Sequence, residues 1–253
     1  MAKQKNKQPL SVTSRLLGVD FVMEHVWKCP KKLLEKQFIN NISLNHLEVG
    51  VTSGFDFTQR LKANNNLDIA YLDPDIKALK RAVKNSNHLK PRLYRGNLMY
   101  PWGLSDQKFS SINLNFVLHC LPGDFENKVN ALCINTRSCL ADDGTIFGSA
   151  ILRDKLRSNP VSEYVIKRSN QTGIMNNEKD SYRKLERMLN YYFNDVNIKM
   201  VGYVVMFEAK MKVILPVGSP EMEPYNSRRN LINFPNRRTN GRDSMTRRGK
   251  RIA

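Results

Sequence analysis

Between residues 45 and 151, short apolar segments alternate with longer amphipathic ones, and this alternation limits the fold more than any other feature of the sequence. Five segments have the length and apolar content of buried strands: HLEVGV, LDIAYLD, PRLYRGN, FSSINLNFVLHCL and DDGTIFGSAIL. Two intervening segments have helical spacing, PDIKALKRAVKN and GDFENKVNALCINTRSCL, and DFTQRLKA can also form a helix. Strands that alternate with helices are joined by crossovers, so we predict an α/β fold with a mostly parallel sheet.

Some local details of these elements can also be predicted. Pro74 is placed to start a helix whose apolar side carries Ile76, Leu79 and Val83. The fourth apolar segment is long enough for the centre of a sheet. A turn is expected at Asp143-Gly144, before the fifth strand.

Beyond residue 152 the alternation of strand and helix ends. The segments NPVSEYVIKRSNQTG and DSYRKLERMLNYYF are predicted helices, and Asp180 or Ser181 is expected to cap the second one. The following segment, VNIKMVGYVVMFEAKMKVILP, holds two β-rich runs with no room for a crossover helix between them. These two runs should therefore pair as an antiparallel hairpin.

Composition divides the chain into four parts. Residues 1–15 are basic and predicted flexible, and residues 16–44 are predicted to form a helical cap interrupted at Pro30. Residues 45–216 hold the α/β domain. Residues 217–253 are rich in Arg, Asn, Pro and Ser, so we expect a disordered tail.

The chain carries a strong positive charge. It has 41 Lys and Arg against 23 Asp and Glu, a net charge of +18, and residues 224–253 hold nine Lys and Arg against one acid. Such a tail attracts RNA or another polyanion, and it can also serve solubility alone.

The cysteines and the apolar segments indicate where the protein works. Cys29, Cys120, Cys133 and Cys139 form no C-x-x-C pair, so we expect reduced, buried thiols and no metal site. No stretch has the roughly 18 apolar residues of a membrane helix, and the first ten residues lack the apolar core of a secretory signal. The cytoplasm is the expected location.

Candidate binding residues follow the predicted strands. After the first strand, the segment NHLEVGVTSGFDF places Glu48 before a turn that contains Gly50, Thr52 and Gly54. A glycine turn lets the backbone approach a ligand, and the following helix would offer its amide groups. Asp73 ends the second strand, where a carboxylate can accept hydrogen bonds from both hydroxyls of a ribose.

The next two strands add further candidates at the same edge of the sheet. Asn97 follows the third strand, where a short amide can contact an adenine edge. Asn115, His119 and Cys120 end the fourth strand and are expected to face the substrate side of the crevice. His119 is a candidate general base, since histidine exchanges protons near neutral pH, although packing is the alternative role.

Several ordered segments between residues 20 and 210 resemble class I S-adenosylmethionine-dependent methyltransferases. They are VWKCP, NHLEVGVTSGFDF, YLDPDIKAL, LNFVLHCLPG, LADDGTIFGSAIL and NDVNIKMVGYVVMFEA. More narrowly, they are similar to a microbial branch with HLDVGVGTGYFLD, LNYLLHCLPG and PGGVVFGSTIL-like segments, whose members act on small molecules. The resemblance implies a Rossmann-like seven-stranded sheet, S-adenosylmethionine as cofactor and a small-molecule acceptor.

The same resemblance implies a role for each strand-end residue. Glu48, Gly50 and Gly54 would form the loop at the methionine side of the cofactor, and Asp73 would bind the ribose. Thr52 stands where the branch has a glycine, and Asn97 stands where the family usually has an aspartate.

Two other functions remain open alternatives. One is an RNA-directed methyltransferase, which the charge favours, although the fourth strand lacks an N-P-P-Y or D-P-P-Y motif of base N-methylation. The other is a degenerate methyltransferase fold that binds nucleic acid without catalysis, as the departures at Thr52 and Asn97 would allow.

Overall fold

A computed structural model of the chain describes five parts of it. The described residues are 19–51, 57–58, 61, 66–152 and 159–211. The segments predicted to be a flexible N-terminus and a disordered tail lie outside these residues, as does most of the predicted helix DFTQRLKA.

Within the described residues, seven strands form one sheet. The strands are β1 (Asn45–Val49), β2 (Asp68–Asp73), β3 (Arg92–Arg95), β4 (Phe109–Asn115), β5 (Leu140–Ile151), β6 (Asp195–Val201) and β7 (Val204–Lys210). Their order across the sheet is β3-β2-β1-β4-β5-β7-β6. The pairs among β1 to β5 are parallel, whereas β7 runs antiparallel to both β5 and β6. The predicted parallel sheet with a C-terminal antiparallel hairpin is therefore confirmed.

Helices cover both faces of the sheet. They are α1 (Lys31–Asn41), α2 (Ile76–Asn85), α3 (Phe125–Cys139), α4 (Pro160–Gln171) and α5 (Tyr182–Tyr192). A short helix at Val19–Phe21 continues as a π-helical turn, Val22–Val26, and ends before Pro30, as predicted. The apolar sides of α3 and α5 pack in one buried cluster, and those of α1, α2 and α4 pack in a second cluster on the other face. None of the helices in the described ranges is long and apolar enough to cross a membrane.

The structure corrects three local predictions. Strand β4 ends at Asn115, because Phe116 adopts a left-handed conformation with φ 57° and a 3-10 turn follows at Leu118–Cys120. Asp143-Gly144 lies inside β5, where the pairing with β4 shifts register, so no separate turn precedes the strand. On α2 the buried residues are Ala78, Leu79 and Ala82, while Ile76 is 43% exposed.

A buried ion pair joins α3 to the segment before α5. Lys128 Nζ donates to Asp180 Oδ1 at 3.0 Å and also to the carbonyl oxygen of Asn176. Both charged side chains are almost fully buried, and burial raises the pKa of Asp180 to about 6. Asp180 therefore pairs with Lys128 instead of capping α5, and Ser181 occupies the cap position without a side-chain hydrogen bond.

The four thiols are free. Cys29, Cys133 and Cys139 are buried, whereas Cys120 is partly exposed. Burial raises the pKa of Cys29 to about 11 and that of each of the other three to about 12. All four therefore stay protonated at neutral pH. In the described part of the chain, no group of three His, Cys, Asp or Glu side chains could hold a metal ion.

The turn between β6 and β7 packs directly on the N-terminal segment. Gly202 has φ +60°, and a Cβ built there would lie 2.3 Å from the carbonyl oxygen of Trp27. Tyr203 N–H donates to the same oxygen at 2.9 Å. Gly173 also has a positive φ, +71°, but a Cβ there would meet nothing within 4 Å.

We therefore expect Gly202→Ala to destabilise the fold far more than Gly173→Ala. The left-handed conformation alone costs about 1–2 kcal/mol for alanine, which is the loss expected at Gly173. At Gly202 the clash with backbone adds about 1–3 kcal/mol or more. Urea unfolding of both variants measures the difference. Equal losses would contradict the close packing of the β6–β7 turn on Trp27.

Candidate active site

The predicted binding residues meet at the carboxyl edge of the parallel strands. Gly50 follows β1, Asp73 ends β2 and Asn97 follows β3, and these three strands are neighbours in the sheet. Gly50 N–H donates to the carbonyl oxygen of Leu72 at 2.9 Å, so the start of the first loop is fixed to the end of β2. The crevice outside this edge is where ligands bind in open parallel sheets.

Gly50 is required by its conformation and by its surroundings. Its φ is +78°, and a Cβ at this position would lie 2.5 Å from Cγ2 of Val117. The backbone therefore leaves β1 in a direction that a larger residue could not follow. Thr52 and Gly54, the other predicted members of this loop, lie outside the described residues.

Glu48 is a buried carboxylate on β1, two residues before Gly50. Asn113 Nδ2 donates to Glu48 Oε1 at 2.8 Å and to Oε2 at 3.0 Å. The Nε2 atom of His46 lies 3.2 Å from Oε2, and the Nδ1 atom lies 2.7 Å from the hydroxyl of Ser111. Ser43 N–H in turn donates to this hydroxyl at 2.9 Å. We call these residues the β1–β4 polar chain.

The imidazole in this chain is neutral. Burial lowers the pKa of His46 to about 3, so the ring carries one proton at neutral pH. The hydroxyl of Ser111 then donates to Nδ1, and Nε2–H donates to the carboxylate of Glu48. The contact between His46 and Glu48 is therefore a hydrogen bond rather than an ion pair. Glu48 is held in place by amide and imidazole donors.

Asp73 is a second acid, at the end of β2 and 2% exposed. Its Oδ1 accepts a hydrogen bond from Asp75 N–H at 2.8 Å, which orients the carboxylate at the strand end. The helix cap of α2 is Asp75, whose Oδ1 accepts from Lys77 N–H at 2.9 Å. Asp73 itself therefore is not the cap.

Asn97 is exposed at the start of the loop after β3. Its Oδ1 accepts a hydrogen bond from Met99 N–H at 2.9 Å. The amide oxygen is thus used within the turn, and the NH₂ group is the part of the side chain that remains to face a ligand.

Asn115 and His119 are deeply buried at the end of β4. The Oδ1 of Asn115 accepts from the hydroxyl of Ser149 at 2.8 Å. The Nδ1 of His119 accepts from Ile151 N–H at 3.2 Å, and its Nε2 has no hydrogen-bond partner in the described part of the chain. Burial, with the charge of Lys128, lowers the pKa of His119 to about 3. A general base needs access to its substrate and a pKa near neutral. The burial and the low pKa of His119 therefore disfavour the predicted role of general base, which stays a prediction.

Some residues of the site were not found from the sequence. Ser111 and Asn113, two partners in the β1–β4 polar chain, alternate with apolar residues in FSSINLN, and His46 and Glu48 alternate in the same way. This period of two places all four side chains on one face of the sheet, which was the available signal. The contact of Val117 with Gly50 could not be predicted in this way, because Val117 is not part of such an alternating pattern.

The N-terminal segment supplies mostly core residues. Trp27 is 1% exposed and Cys29 is fully buried, whereas His25 is exposed with its ring centroid 4.4 Å from that of Phe21. Trp27 and Cys29 therefore pack beneath the surface.

Comparisons with known proteins agree with this architecture. No protein-family model matches the chain. The uncharacterised protein YbcY of Escherichia coli is 34% identical over 190 residues, which cover 74% of this chain and 95% of YbcY. Methyltransferase aurB of Calcarisporium arbuscula is 28% identical over 197 residues, which cover 73% of this chain and 85% of aurB.

Two solved structures share the fold. The pyocyanin biosynthetic protein PhzM matches with a TM-score of 0.55 and 15% identity, over 81% of this chain but only 59% of PhzM. The N-methyltransferase NodS of Bradyrhizobium japonicum, solved with S-adenosyl-L-homocysteine, matches with a TM-score of 0.51 and 13% identity over 79% of this chain and 96% of NodS.

The sheet order and these relatives define one class of enzyme. The chain belongs to the class I S-adenosylmethionine-dependent methyltransferase family. It is a methyltransferase.

The two neutral histidines predict a loss of stability in acid. The unfolded chain protonates histidine near pH 6.5, whereas the pKa of His46 and of His119 in the folded protein is about 3. The stability from these rings is complete above pH 6.5 and is lost as the pH falls toward 3, because the unfolded state binds protons first. At pH 5 each ring lowers the free energy of unfolding by roughly 2 kcal/mol.

Urea unfolding at pH 7.5 and pH 5 tests this prediction with a His119→Asn variant. Asparagine keeps an acceptor for Ile151 N–H, and the variant should lose about 2 kcal/mol less than the parent between the two pH values. Asp180, with its pKa raised to about 6, offsets part of the loss equally in both proteins, so their difference is the measured quantity. An identical loss in parent and variant would show that His119 titrates normally.

Proposed function

We propose that the carboxyl edge of β1, β2 and β3 binds S-adenosylmethionine and that the enzyme methylates a small-molecule acceptor. The observation that carries this proposal is Asp73, an oriented, buried carboxylate one strand away from the left-handed Gly50. This combination suits a ligand with a free ribose beside a charged chain. The relative aurB is named a methyltransferase, and NodS was solved with the demethylated cofactor.

In this proposal each residue of the edge has a distinct task. Gly50 lets the backbone come close to the methionine part of the cofactor, and Thr52 and Gly54 continue the same loop. Glu48 fixes β1 against β4 through the β1–β4 polar chain, and its negative charge attracts the positive sulfonium side of the ligand.

The ribose and the base would lie across β2 and β3. Asp73 accepts hydrogen bonds from the ribose hydroxyls. Asn97 offers its NH₂ group, since its oxygen already accepts from Met99 N–H, so it meets an acceptor nitrogen of adenine better than the amino group. Ile76, exposed at the start of α2 beside Asp73, adds an apolar surface at the same place.

The reaction asks the chain mainly for positioning. The cofactor supplies a methyl carbon on a sulfonium, whose leaving group is a neutral thioether. The residues of the edge therefore have to hold the two reactants in line and exclude water. Asn115, fixed by Ser149, forms the end of β4 next to this crevice, and the buried His119 would support the same turn.

A second candidate is methylation of RNA, or binding of RNA without methylation, and the net charge of +18 favours it. In either case the basic tail at residues 217–253 would contact the polyanion. We also propose the cytoplasm as the compartment, which the four free, protonated thiols support.

Titration calorimetry with S-adenosylmethionine and S-adenosylhomocysteine tests the cofactor site. We expect Asp73→Asn to weaken binding by at least about 30-fold, because the carboxylate loses charge-assisted hydrogen bonds to the ribose. The matched control is Asp75→Asn, which keeps the cap of α2 and should bind within about twofold of the parent. Equal weakening in both variants would mean that the loop geometry, not the ribose contact, had been changed.

The outcome for the parent protein separates the candidate functions. Micromolar binding of S-adenosylmethionine by the parent supports the enzyme function and means that Thr52 is compatible with cofactor binding. A well-folded parent without binding would overturn the proposed site and favour the non-catalytic alternative.

Asn97→Asp should tighten cofactor binding by about tenfold. One carboxylate oxygen would keep the bond to Met99 N–H, and the other would accept from the adenine amino group. Calorimetry with S-adenosylhomocysteine measures the change, and inosine-containing cofactor, which lacks the amino group, is the control that should show no gain. Weaker binding by the variant would show that the amide NH₂ already makes the better contact.

A further inference from the structure

A group of exposed cations lies on α2 and toward the β3 edge of the sheet. Residues 76–105 contain seven Lys and Arg and no Asp or Glu. Arg92 among them forms an ion pair with Asp68 at 2.8 Å. We call the other six the basic face; they are Lys77, Lys80, Arg81, Lys84, Lys90 and Arg95. All six are exposed.

The cations on α2 form a single row. Lys77, Lys80, Arg81 and Lys84 are spaced three and four residues apart, so neighbouring Cβ atoms lie about 5–6 Å from one another on one side of the helix. The row is about 10 Å long, from the rise of 1.5 Å per residue. The other side of α2 is buried against the sheet.

These charges are not neutralised by their surroundings. In the part of the chain that the structure describes, none of the six forms an ion pair with an acid. The pairs three and four residues apart repel each other, and Lys77 lies in the first turn, where the helix dipole disfavours a cation. The row therefore destabilises α2 unless an anion binds along it.

The basic face reaches the β3 edge of the sheet. Arg95 Nε donates to the carbonyl oxygen of Pro74 at 3.4 Å, which places its guanidinium beside the end of β2. Phosphates repeat along a nucleic acid strand, so a row of cations can contact several of them at once.

We propose that the basic face docks the phosphate backbone of an RNA strand. Repeated phosphates complement a row of like charges that finds no acid in the described chain. A membrane surface fits less well, because the apolar side of α2 is already buried and cannot enter a bilayer. This docking surface is separate from the tail and does not depend on which acceptor is methylated.

The test uses the full chain and a fluorescein-labelled 20-nucleotide uridine RNA, followed by anisotropy between 50 and 300 mM KCl. The face variant is K77Q/K80Q/R81Q/K84Q. We expect it to bind at least about tenfold more weakly at 100 mM KCl. The slope of log affinity against log salt concentration should also become shallower by about 3, because each lost phosphate contact on a single strand removes roughly 0.7.

The matched control is K32Q/K36Q/K167Q/R168Q, which removes three Lys and one Arg from exposed positions on α1 and α4. It should bind within about twofold of the parent, because this quartet removes the same charge from other helices and leaves the row on α2 intact. A K77R/K80R/K84R variant should bind as the parent does, which separates the charge from any effect on folding. Thermal melting within about 2 °C of the parent is required of each variant.

Three outcomes would overturn the proposal. Equal loss in the face and control quartets would mean that net charge alone attracts RNA. Unchanged RNA binding by the face variant would remove the basic face from the contact. In a last outcome, the face variant keeps RNA binding but no longer binds vesicles of phosphatidylserine and phosphatidylcholine, or a polyglutamate probe. That result would assign the face to a membrane or to an acidic protein.

Discussion

The structure depends on the buried carboxylate of Glu48 and the hydrogen bonds that hold it. A carboxylate removed from water is costly unless its oxygens are satisfied, and here the donors come from His46 on the same strand and Asn113 on β4. In the sheet, His46 pairs with Ser111 and Glu48 pairs with Asn113. A slip of one residue would turn every one of these side chains to the opposite face, so the polar chain fixes the register of β1 against β4.

That register determines where the proposed binding edge lies. With β1 fixed against β4, Gly50 leaves the sheet beside Val117, and its N–H reaches Leu72 on β2. The end of β2 then presents Asp73 next to the loop. The geometry of the proposed site therefore depends on the β1–β4 polar chain as much as on the residues that would touch a ligand. The residues of the β1–β4 polar chain are buried and hydrogen-bonded to one another, which suits a reaction that depends on alignment.

The sheet could be predicted from the sequence because strand and helix periods are local properties. The end of β4 could not, because the left-handed Phe116 lies within an unbroken apolar run. The local sequence around Asp180 also predicts a helix cap, because its actual partner, Lys128, lies 52 residues away in the sequence. For the site, Gly50 and Asp73 were found at strand ends, whereas the support of Glu48 rests on Asn113, 65 residues away in sequence. Contacts between residues so far apart in the sequence depend on how the elements pack, which cannot be deduced from a single sequence.

The two edge strands have a consequence for how the protein behaves at high concentration. An exposed edge offers unpaired backbone groups to which a strand of another molecule can add, the first step of aggregation. Here β3 has four residues with an arginine at each end, and β6 carries Asp195 and Lys199 on its exposed side. Adding a strand to either edge would bring charged side chains into a drier environment. Arg95, which belongs to the basic face, and Arg92 therefore also help to keep the molecules apart.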